Sequence, residues 1–417
     1  MRTKIIVVLA FVSAGLFMAL VLRNVELPDE QVGIDASFGS FNAFLQQLAG
    51  KRVTTDFQVD YGSAVALLHR QDPYGISQEI FAQFGLPSWN VATANPHPPT
   101  TVVAVLPFAL LSYPNALTAW SLLMVFVMIW TIRLMGVPLA YAAPLGVAVC
   151  VTFPGAFGIG NVVPVIGLGI ALAYRYRDNP MLAAVGLTVA AAPKASGLIL
   201  LLPFVLSMRW KTVGWTAGFM TVLALIPFAF YPGSWSSYFD GGIEAISLNS
   251  AREDNASLLN LATKLGIPQS VAVVFLVLIA AAIAVLIKDT FWPTVWLIVA
   301  LLPIAWMYSL LTLIPLFCAV VRKPNPWGVG SVVLATALTV GSPPLGSWPT
   351  RVLPLIVLLA AVALTQVRET AFWPDRNGLR DIARRRRRSP TTASDVAGEP
   401  DGQAVVRSPG VAAGSDS

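Results

Sequence analysis

Acidic and basic side chains that could act on a substrate interrupt an otherwise apolar sequence. Asp56 and Asp60 belong to its first long polar segment, and Lys194, Arg252 and Arg351 lie at or near the ends of later apolar segments. Carboxylates near cations suit acid–base chemistry, because a carboxylate can deprotonate an acceptor hydroxyl while cations stabilise negative charge on a phosphate. The surrounding elements must therefore bring these side chains to one surface.

Composition predicts what kind of elements these are. Of the 417 residues, 56% are hydrophobic and only 12% are charged, whereas soluble proteins carry about 25% charged residues. The apolar residues form long blocks, so we expect an all-α polytopic membrane protein rather than a cytosolic enzyme. The net charge of +6 comes mostly from five consecutive arginines, residues 384–388, and does not indicate binding to nucleic acid.

The apolar blocks predict about twelve transmembrane helices in a plasma-membrane protein. The first block, residues 5–22, follows Arg2 and Lys4. We interpret it as an uncleaved helix with a cytoplasmic amino end, rather than a cleaved signal peptide, because no small-x-small cleavage site follows. Residues 23–98 then form an outer loop with short amphipathic helices, such as residues 41–48.

Basic residues between the later blocks predict the sidedness of the remaining spans. The residues assigned to the cytoplasm by this rule are Arg133, Arg175, Arg177, Arg209, Lys211, Lys288, Arg322 and Lys323. Both termini are then cytoplasmic. Residues 100–132 must make one net crossing, which we interpret as a re-entrant or broken piece followed by one helix.

The domain organisation follows from a change in composition near Trp373. Residues 1–372 are predicted to form the membrane domain. Residues 373–417, rich in Arg, Ser, Pro, Gly and Asp, cannot bury enough apolar surface to fold and are predicted to be a disordered basic cytoplasmic tail. The arginine run either contacts anionic membrane lipids or anchors the topology.

Several polar and aromatic residues fall on the predicted outer side. Lys194 begins a predicted apolar α-helix whose other end is Arg209, and its fifteen residues at about 1.5 Å each extend across most of a bilayer core. Lys194 therefore lies near the outer surface, either in a functional role or as a snorkelling lysine. Arg252 lies in the outer loop of residues 232–268, and Arg351 is an outward exception to the basic-inside trend. Trp306 and Tyr308 mark another outer boundary, where an aromatic belt is the alternative explanation.

Short motifs in sequential order resemble the polyprenyl-phosphate-mannose-dependent mannosyltransferases of actinobacteria, which are glycosyltransferase family 87 enzymes of the GT-C membrane class. These motifs are Thr55-Asp56-Phe57, Asp60-Tyr61, Asp72-Pro73-Tyr74, His97-Pro98-Pro99, Gly158-Ile159-Gly160-Asn161, Lys194 with Arg209-Trp210, Asn255-Ala256-Ser257, and residues 303–315 with Trp306. The similarity covers roughly residues 5–367. It implies a GT-C-type helical bundle.

The chain departs from the family pattern at positions that shape sugar or phosphate binding. Ile159 replaces the Gln of the Gly-Gln-x-Asn motif, and His97 replaces the aromatic residue before the two prolines. The family has a pair of histidines after the Trp of its pattern, and this chain has Met307, Tyr308 and Ser309 in their place. These differences bear on sugar and phosphate binding and not on the fold.

The resemblance implies transfer of mannose from polyprenyl phosphate mannose to a glycolipid or lipoglycan at the outer face, with inversion. Asp56 would be the general base, and Lys194, Arg252 and Arg351 would hold the phosphate. The other residues it implies in substrate binding are Asp60, Tyr61, His97, Asn161, Asn255, Trp306 and Tyr308. Phosphate is already a good leaving group, so we expect no metal and no cofactor. Cys150 and Cys318 are expected to be free thiols in apolar surroundings.

Alternatives remain open at this point. An arabinofuranosyltransferase using polyprenyl phosphate arabinose is the second candidate, and a flippase or transporter of lipid-linked sugars is the third. Asp56 could instead cap a helix that begins near Phe57, since Asp is a preferred N-cap residue. Asp72-Pro73-Tyr74 could be a turn, and His97 could be an interfacial histidine.

Overall fold

The computed structural model of the chain describes residues 48–49, 55–86, 93–152, 160–250, 255, 257–304 and 307–322. All of them belong to the first of the two units into which the chain divides, Met1–Trp373. Every regular element in these ranges is helical, as predicted. The predicted first helix at residues 5–22, most of the piece at 41–48 and the predicted tail lie outside the described residues. The count of about twelve spans and the boundary at residue 372 therefore stay predictions.

The described residues form α-helices joined mostly by short connections. In chain order they are α1 Thr55–Leu68, α2 Ser77–Gln83, α3 Pro99–Ala109, α4 Tyr113–Leu134, α5 Leu139–Thr152, α6 Val163–Arg175, α7 Pro180–Ala191, α8 Leu201–Leu206, α9 Trp210–Phe230, α10 Ser234–Ser237, α11 Ile243–Ser250, α12 Leu258–Lys264, α13 Gln269–Ile287, α14 Phe291–Ala300 and α15 Ile314–Arg322. The 3-10 helices Ala195–Leu200 and Met307–Leu313 precede α8 and α15. A π-helical turn, Tyr238–Gly242, joins α10 to α11.

Among the described residues, α4, α9 and α13 are long and apolar enough to cross a bilayer. The 22 residues of α4 extend about 33 Å, slightly more than a hydrocarbon core. Leu122 and Phe126 of α4 are exposed, whereas Met124 and Met128 are buried against the rest of the protein. An apolar side chain that is exposed on such a helix is suited to contact with lipid.

The region predicted to make one crossing contains two helices of different length. α3 has 11 residues, or about 16 Å, which is too short to cross, whereas α4 is long enough. The lengths agree with a short piece followed by one spanning helix. The direction of the crossing stays a prediction.

The apolar stretch after Lys194 differs from the single α-helix assumed above. It begins as the 3-10 helix Ala195–Leu200 and continues as α8, which ends at Leu206. At about 2.0 Å per 3-10 residue and 1.5 Å per α-helical residue the two pieces extend about 21 Å. The two pieces together are thus nearly as long as the predicted α-helix, although the first of them is a 3-10 helix.

Two kinds of packing bring the N-terminal helices together. α6 and α7 approach so closely at Gly169 that a Cβ there would lie 2.3 Å from the backbone nitrogen of Ala190. An aromatic cluster joins α1 to α3 and α4, with the Phe57 and Trp120 rings stacked at 5.2 Å and Phe108 edge-on to Trp120 at 5.3 Å. Such contacts are stabilising beyond the area they bury. The aromatic contacts fix the first turn of α1 against α3 and α4, and the Gly169 contact holds α6 close to α7.

Candidate active site

Two carboxylates lie one turn apart on α1. Asp56 and Asp60 are separated by four residues, which places them on the same face of the helix. Asp60 is fully buried and Asp56 is half-buried. α1 begins at Thr55, so Asp56 lies within the first turn and not at the N-cap position. At the amino end of a helix its negative charge is favoured by the helix dipole.

Asp60 forms a buried pair with His97. Nδ1 of His97 lies 2.9 Å and 3.1 Å from the two carboxylate oxygens of Asp60. Oδ1 of Asp60 also accepts a hydrogen bond of 3.0 Å from Nδ2 of Asn95. Because an ionised carboxylate only accepts hydrogen bonds, Nδ1 of His97 must be the donor. The histidine ring is thus held in one orientation next to α1.

Asn161 reaches Asp56 from the start of α6. Its Nδ2 donates a hydrogen bond to Oδ2 of Asp56, and its Oδ1 accepts one of 2.9 Å from the backbone nitrogen of Val163. Gly160 precedes it with φ of +70°, and a Cβ there would lie 2.5 Å from Cβ of Phe57. Only glycine combines this backbone conformation with so close a contact. Nε1 of Trp120 donates to the Gly160 carbonyl at 2.9 Å, so the turn that presents Asn161 is held on both sides.

Lys194 is positioned by the first turn of α3. Oγ1 of Thr100 donates to the carbonyl of Ala192 at 2.6 Å, and Oγ1 of Thr101 donates to the carbonyl of Pro193 at 3.0 Å. Both threonines are buried. Since α3 begins two residues after His97, one short segment sets the position of both His97 and the backbone before Lys194.

Electrostatic interactions connect Asp56, Asp60, His97 and Lys194. Burial is the largest influence on Asp56 and raises the pKa of its carboxyl, while His97, Asn161 and Lys194 oppose that rise and Asp60 adds to it. Burial lowers the pKa of Lys194, against the attraction of Asp56 and Asp60. A carboxylate whose pKa is raised towards the working pH is a better general base than a fully solvated one. The arrangement therefore combines a base with a nearby cation.

Comparison with known families decides the class of protein to which this group of residues belongs. The sequence model of Glycosyltransferase family 87 matches residues 95–309, just over half of the chain. The chain belongs to glycosyltransferase family 87. Comparisons with curated proteins and with solved structures give no match. With its long apolar helices, the protein is a membrane glycosyltransferase.

The family 87 match includes His97, Asn161 and Lys194 but begins after Asp56 and Asp60. The two carboxylates are connected to the matched part by side-chain contacts, since Asp56 binds Asn161 and Asp60 binds His97. The segment before the matched range and the family core thus meet at this group, which we call the Asp56 site. It consists of Asp56, Asp60, His97, Asn161 and Lys194.

Two other residues predicted to bind substrate are buried in contacts with distant parts of the fold, and their role in binding stays a prediction. Tyr61 is 4% exposed, packs edge-on against Tyr113 and donates from its hydroxyl to the carbonyl of Leu111 at 2.7 Å. Five positions after Asp56, it lies on another face of α1. Asn255 is 3% exposed, and its Nδ2 donates to the carbonyl of Pro303 at 2.8 Å. These contacts place both side chains in the packing of the fold, and we leave both out of the Asp56 site.

Other predicted residues are not described well enough to be placed. Arg252, Trp306 and Arg351 lie outside the described residues, and only the backbone of Tyr308 is described, within a 3-10 helix.

Asp72 accepts a hydrogen bond of 2.9 Å from the backbone nitrogen of Tyr74, which is the predicted turn. Cys150 and Cys318 do not form a disulfide with each other. Among the described residues no group of three or more His, Cys, Asp or Glu side chains could hold a metal ion.

Sequence reasoning missed three residues that position this group. Asn95, Thr100 and Thr101 are neutral, and their side chains bind partners 32 or more residues away in the chain. The only sequence signal was their position on either side of His97-Pro98-Pro99. Such contacts have no local period, so pattern analysis along the chain does not detect them.

Proposed function

We propose that this family 87 enzyme transfers mannose from polyprenyl phosphate mannose to a glycolipid or lipoglycan acceptor at the outer face of the plasma membrane. Asp56 is the general base. The polyprenyl tail stays in the bilayer and the sugar phosphate reaches the Asp56 site. The observation that carries the proposal is the half-buried Asp56 carboxylate, bonded to Asn161 and within electrostatic reach of Lys194 and His97.

The reaction needs one proton acceptor and one stabiliser of negative charge. The acceptor oxygen attacks the anomeric carbon as its proton passes to Asp56, and the bond from that carbon to the phosphate oxygen breaks. Attack opposite the leaving group inverts the anomeric configuration, so a β-linked donor yields an α-mannoside. The leaving phosphate gains negative charge, which Lys194 stabilises. Arg252 and Arg351 are proposed as further phosphate ligands.

The position of the charged groups supports an enzyme over a flippase or transporter. Transporters place substrate-binding groups near the bilayer midplane, often in broken helices of the bundle. None of the residues of the Asp56 site belongs to α4, α9 or α13, which are the helices long enough to span a bilayer within the described ranges. Membership of a glycosyltransferase family points the same way.

The deciding experiment compares two acidic residues of the same loop. Purified protein in liposomes is supplied with labelled mannosyl or arabinosyl polyprenyl phosphate and with an acceptor lipid extract. Asp56→Asn should lower turnover about 10²- to 10⁴-fold, the usual contribution of a general base. Asp72→Asn is the matched control, because an amide oxygen can still accept the hydrogen bond from Tyr74 that defines this turn.

Each outcome has a distinct meaning. Retained turnover in Asp56→Asn would remove Asp56 from the role of base. Equal losses in Asp56→Asn and Asp72→Asn would indicate a general effect of lost charge in the loop. Consumption of the arabinosyl donor alone would replace mannose by arabinose as the transferred sugar.

A further inference from the structure

Asn95 is a fully buried residue whose side chain connects three others. Its Nδ2 donates to Oδ1 of Asp60 and to Oγ of Ser63, each at 3.0 Å. Its Oδ1 accepts a hydrogen bond of 2.8 Å from the backbone nitrogen of His97. Both amide hydrogens and one lone pair are thus used. An amide satisfied in this way has one orientation and cannot rotate without breaking all three bonds.

The contacts around Asn95 hold Asp60 and His97 as one unit. Oδ1 of Asp60 receives hydrogen bonds from Asn95 and from Nδ1 of His97. The backbone of His97 is held at both ends, because its nitrogen binds Asn95 and its carbonyl accepts a bond of 2.8 Å from the Tyr74 hydroxyl. Burial raises the pKa of Tyr74 well above its usual value, so that hydroxyl stays neutral. The ring of His97 is therefore fixed against α1.

This unit lies beside the base of the proposed reaction. Among the described residues, the titratable side chains that act on Asp56 include His97, Lys194 and Asp60, and Asn161 is a neutral hydrogen-bond partner. Burial is the largest influence on the pKa of Asp56, and His97 is the strongest of the groups that lower it. His97 has this influence only as long as its imidazole is held close to Asp56 and paired with Asp60.

We propose that Asn95 is a positioning residue, which holds the pair of Asp60 and His97 in place one helical turn from the Asp56 carboxylate. The inference rests on the proposed role of Asp56 as base. Asn95 itself touches neither reacting atom. Its effect should therefore appear in the pH dependence of turnover and not as a uniform loss.

The test is the pH profile of sugar transfer by the full-length protein in liposomes. Asn95→Leu has a similar volume but forms none of the three hydrogen bonds. Without ordered His97, Asp56 should hold its proton more tightly, so the acid limb of turnover should move to higher pH. A displacement of about one pH unit means about tenfold lower turnover on that limb, with recovery to within about twofold at alkaline pH.

A second variant tests whether the effect passes through His97. His97→Asn keeps an amide that can donate to Asp60 but carries no charge, and should show the same displacement. The double variant with Asn95→Leu should show no further displacement, because both changes remove one and the same influence. Ser63→Ala removes the Asn95 partner that lies outside the Asp56 site, together with the hydrogen bond of 2.8 Å from Oγ of Ser63 to the carbonyl of Pro73. It should leave the pH profile unchanged.

The outcomes separate this inference from the proposed function. The positioning role would be overturned by uniformly lower turnover at all pH values in Asn95→Leu, or by additive displacements of the pH profile in the double variant. In the same assay, Asp56→Asn tests separately whether Asp56 is the base. If Asn95→Leu is not recovered as folded protein, Asn95→Ser, which keeps one hydroxyl donor, replaces it. An unchanged profile in Asn95→Ser would equally overturn the inference.

Discussion

The contact between Gly160 and Phe57 predicts how sensitive the site is to a single methyl group. In Gly160→Ala the new Cβ would lie 2.5 Å from Cβ and 3.5 Å from Cα of Phe57. Carbon atoms in ordinary contact are about 3.5 to 4.0 Å apart, so α1 and the Gly160 turn must separate by about 1 Å. Phe57 Cβ is attached to the backbone, and rotation of the side chain cannot relieve the clash. The separation occurs between Asp56 and Asn161.

Two costs to the free energy of unfolding follow from this geometry. Alanine at φ of +70° loses about 1 to 2 kcal/mol relative to glycine in this left-handed conformation. The clash with Phe57 adds about 1 to 3 kcal/mol, as in other overpacked sites. Gly160→Ala should therefore lower stability by about 2 to 5 kcal/mol. A misplacement of about 1 Å in the site should also lower turnover about 10²-fold.

Gly266→Ala separates these effects, because Gly266 has φ of +73° and nothing within 4 Å of its ideal Cβ. It should show the backbone cost alone, with unchanged turnover. Thermal unfolding of the purified proteins measures the loss of stability. Turnover is measured as the initial rate of sugar transfer per folded protein, below the unfolding temperature. Equal stability and equal rates in the two variants would show that the Phe57 contact does not hold Asn161 against Asp56.

Two further predictions concern the cation and the C-terminal region. Lys194→Gln should lower donor use, measured as kcat/KM for the polyprenyl phosphate sugar, about ten- to hundredfold, because a charge-assisted bond to the phosphate is lost. Burial raises the pKa of Asp56, and Lys194 opposes this rise. Without Lys194 the pKa of Asp56 should be higher, so the variant should lose activity first at acid pH. Unchanged donor kinetics would show that Lys194 is only a snorkelling residue. A chain that ends at Trp373 should transfer sugar at the full rate, and an inactive truncated protein would disprove the proposal that the tail is not needed for chemistry.

Local patterns along the chain were enough to predict the class of the protein. Long apolar blocks require helices in a bilayer, because unpaired backbone groups are too costly there. That Asp56 and Asp60 share one face became clear only from the helix α1, in which a four-residue separation is about one turn. Lys194 could be placed at the beginning of a helix because a long apolar run follows it in the sequence. The family match bears out the resemblance seen in the short motifs.

Which of the candidate residues meet was decided by tertiary packing. Asn161 reaches Asp56 across 105 positions of the chain, and Thr100 binds the carbonyl of Ala192 across 92. Tyr61 turns away from the carboxylates because its ring fills the aromatic cluster, a role that its type alone does not distinguish from sugar binding. Helical periodicity determines the face of the helix on which a residue lies. Which residues that face contacts depends on close packing, such as that of Gly160 against Phe57, and this packing exists only in the folded protein.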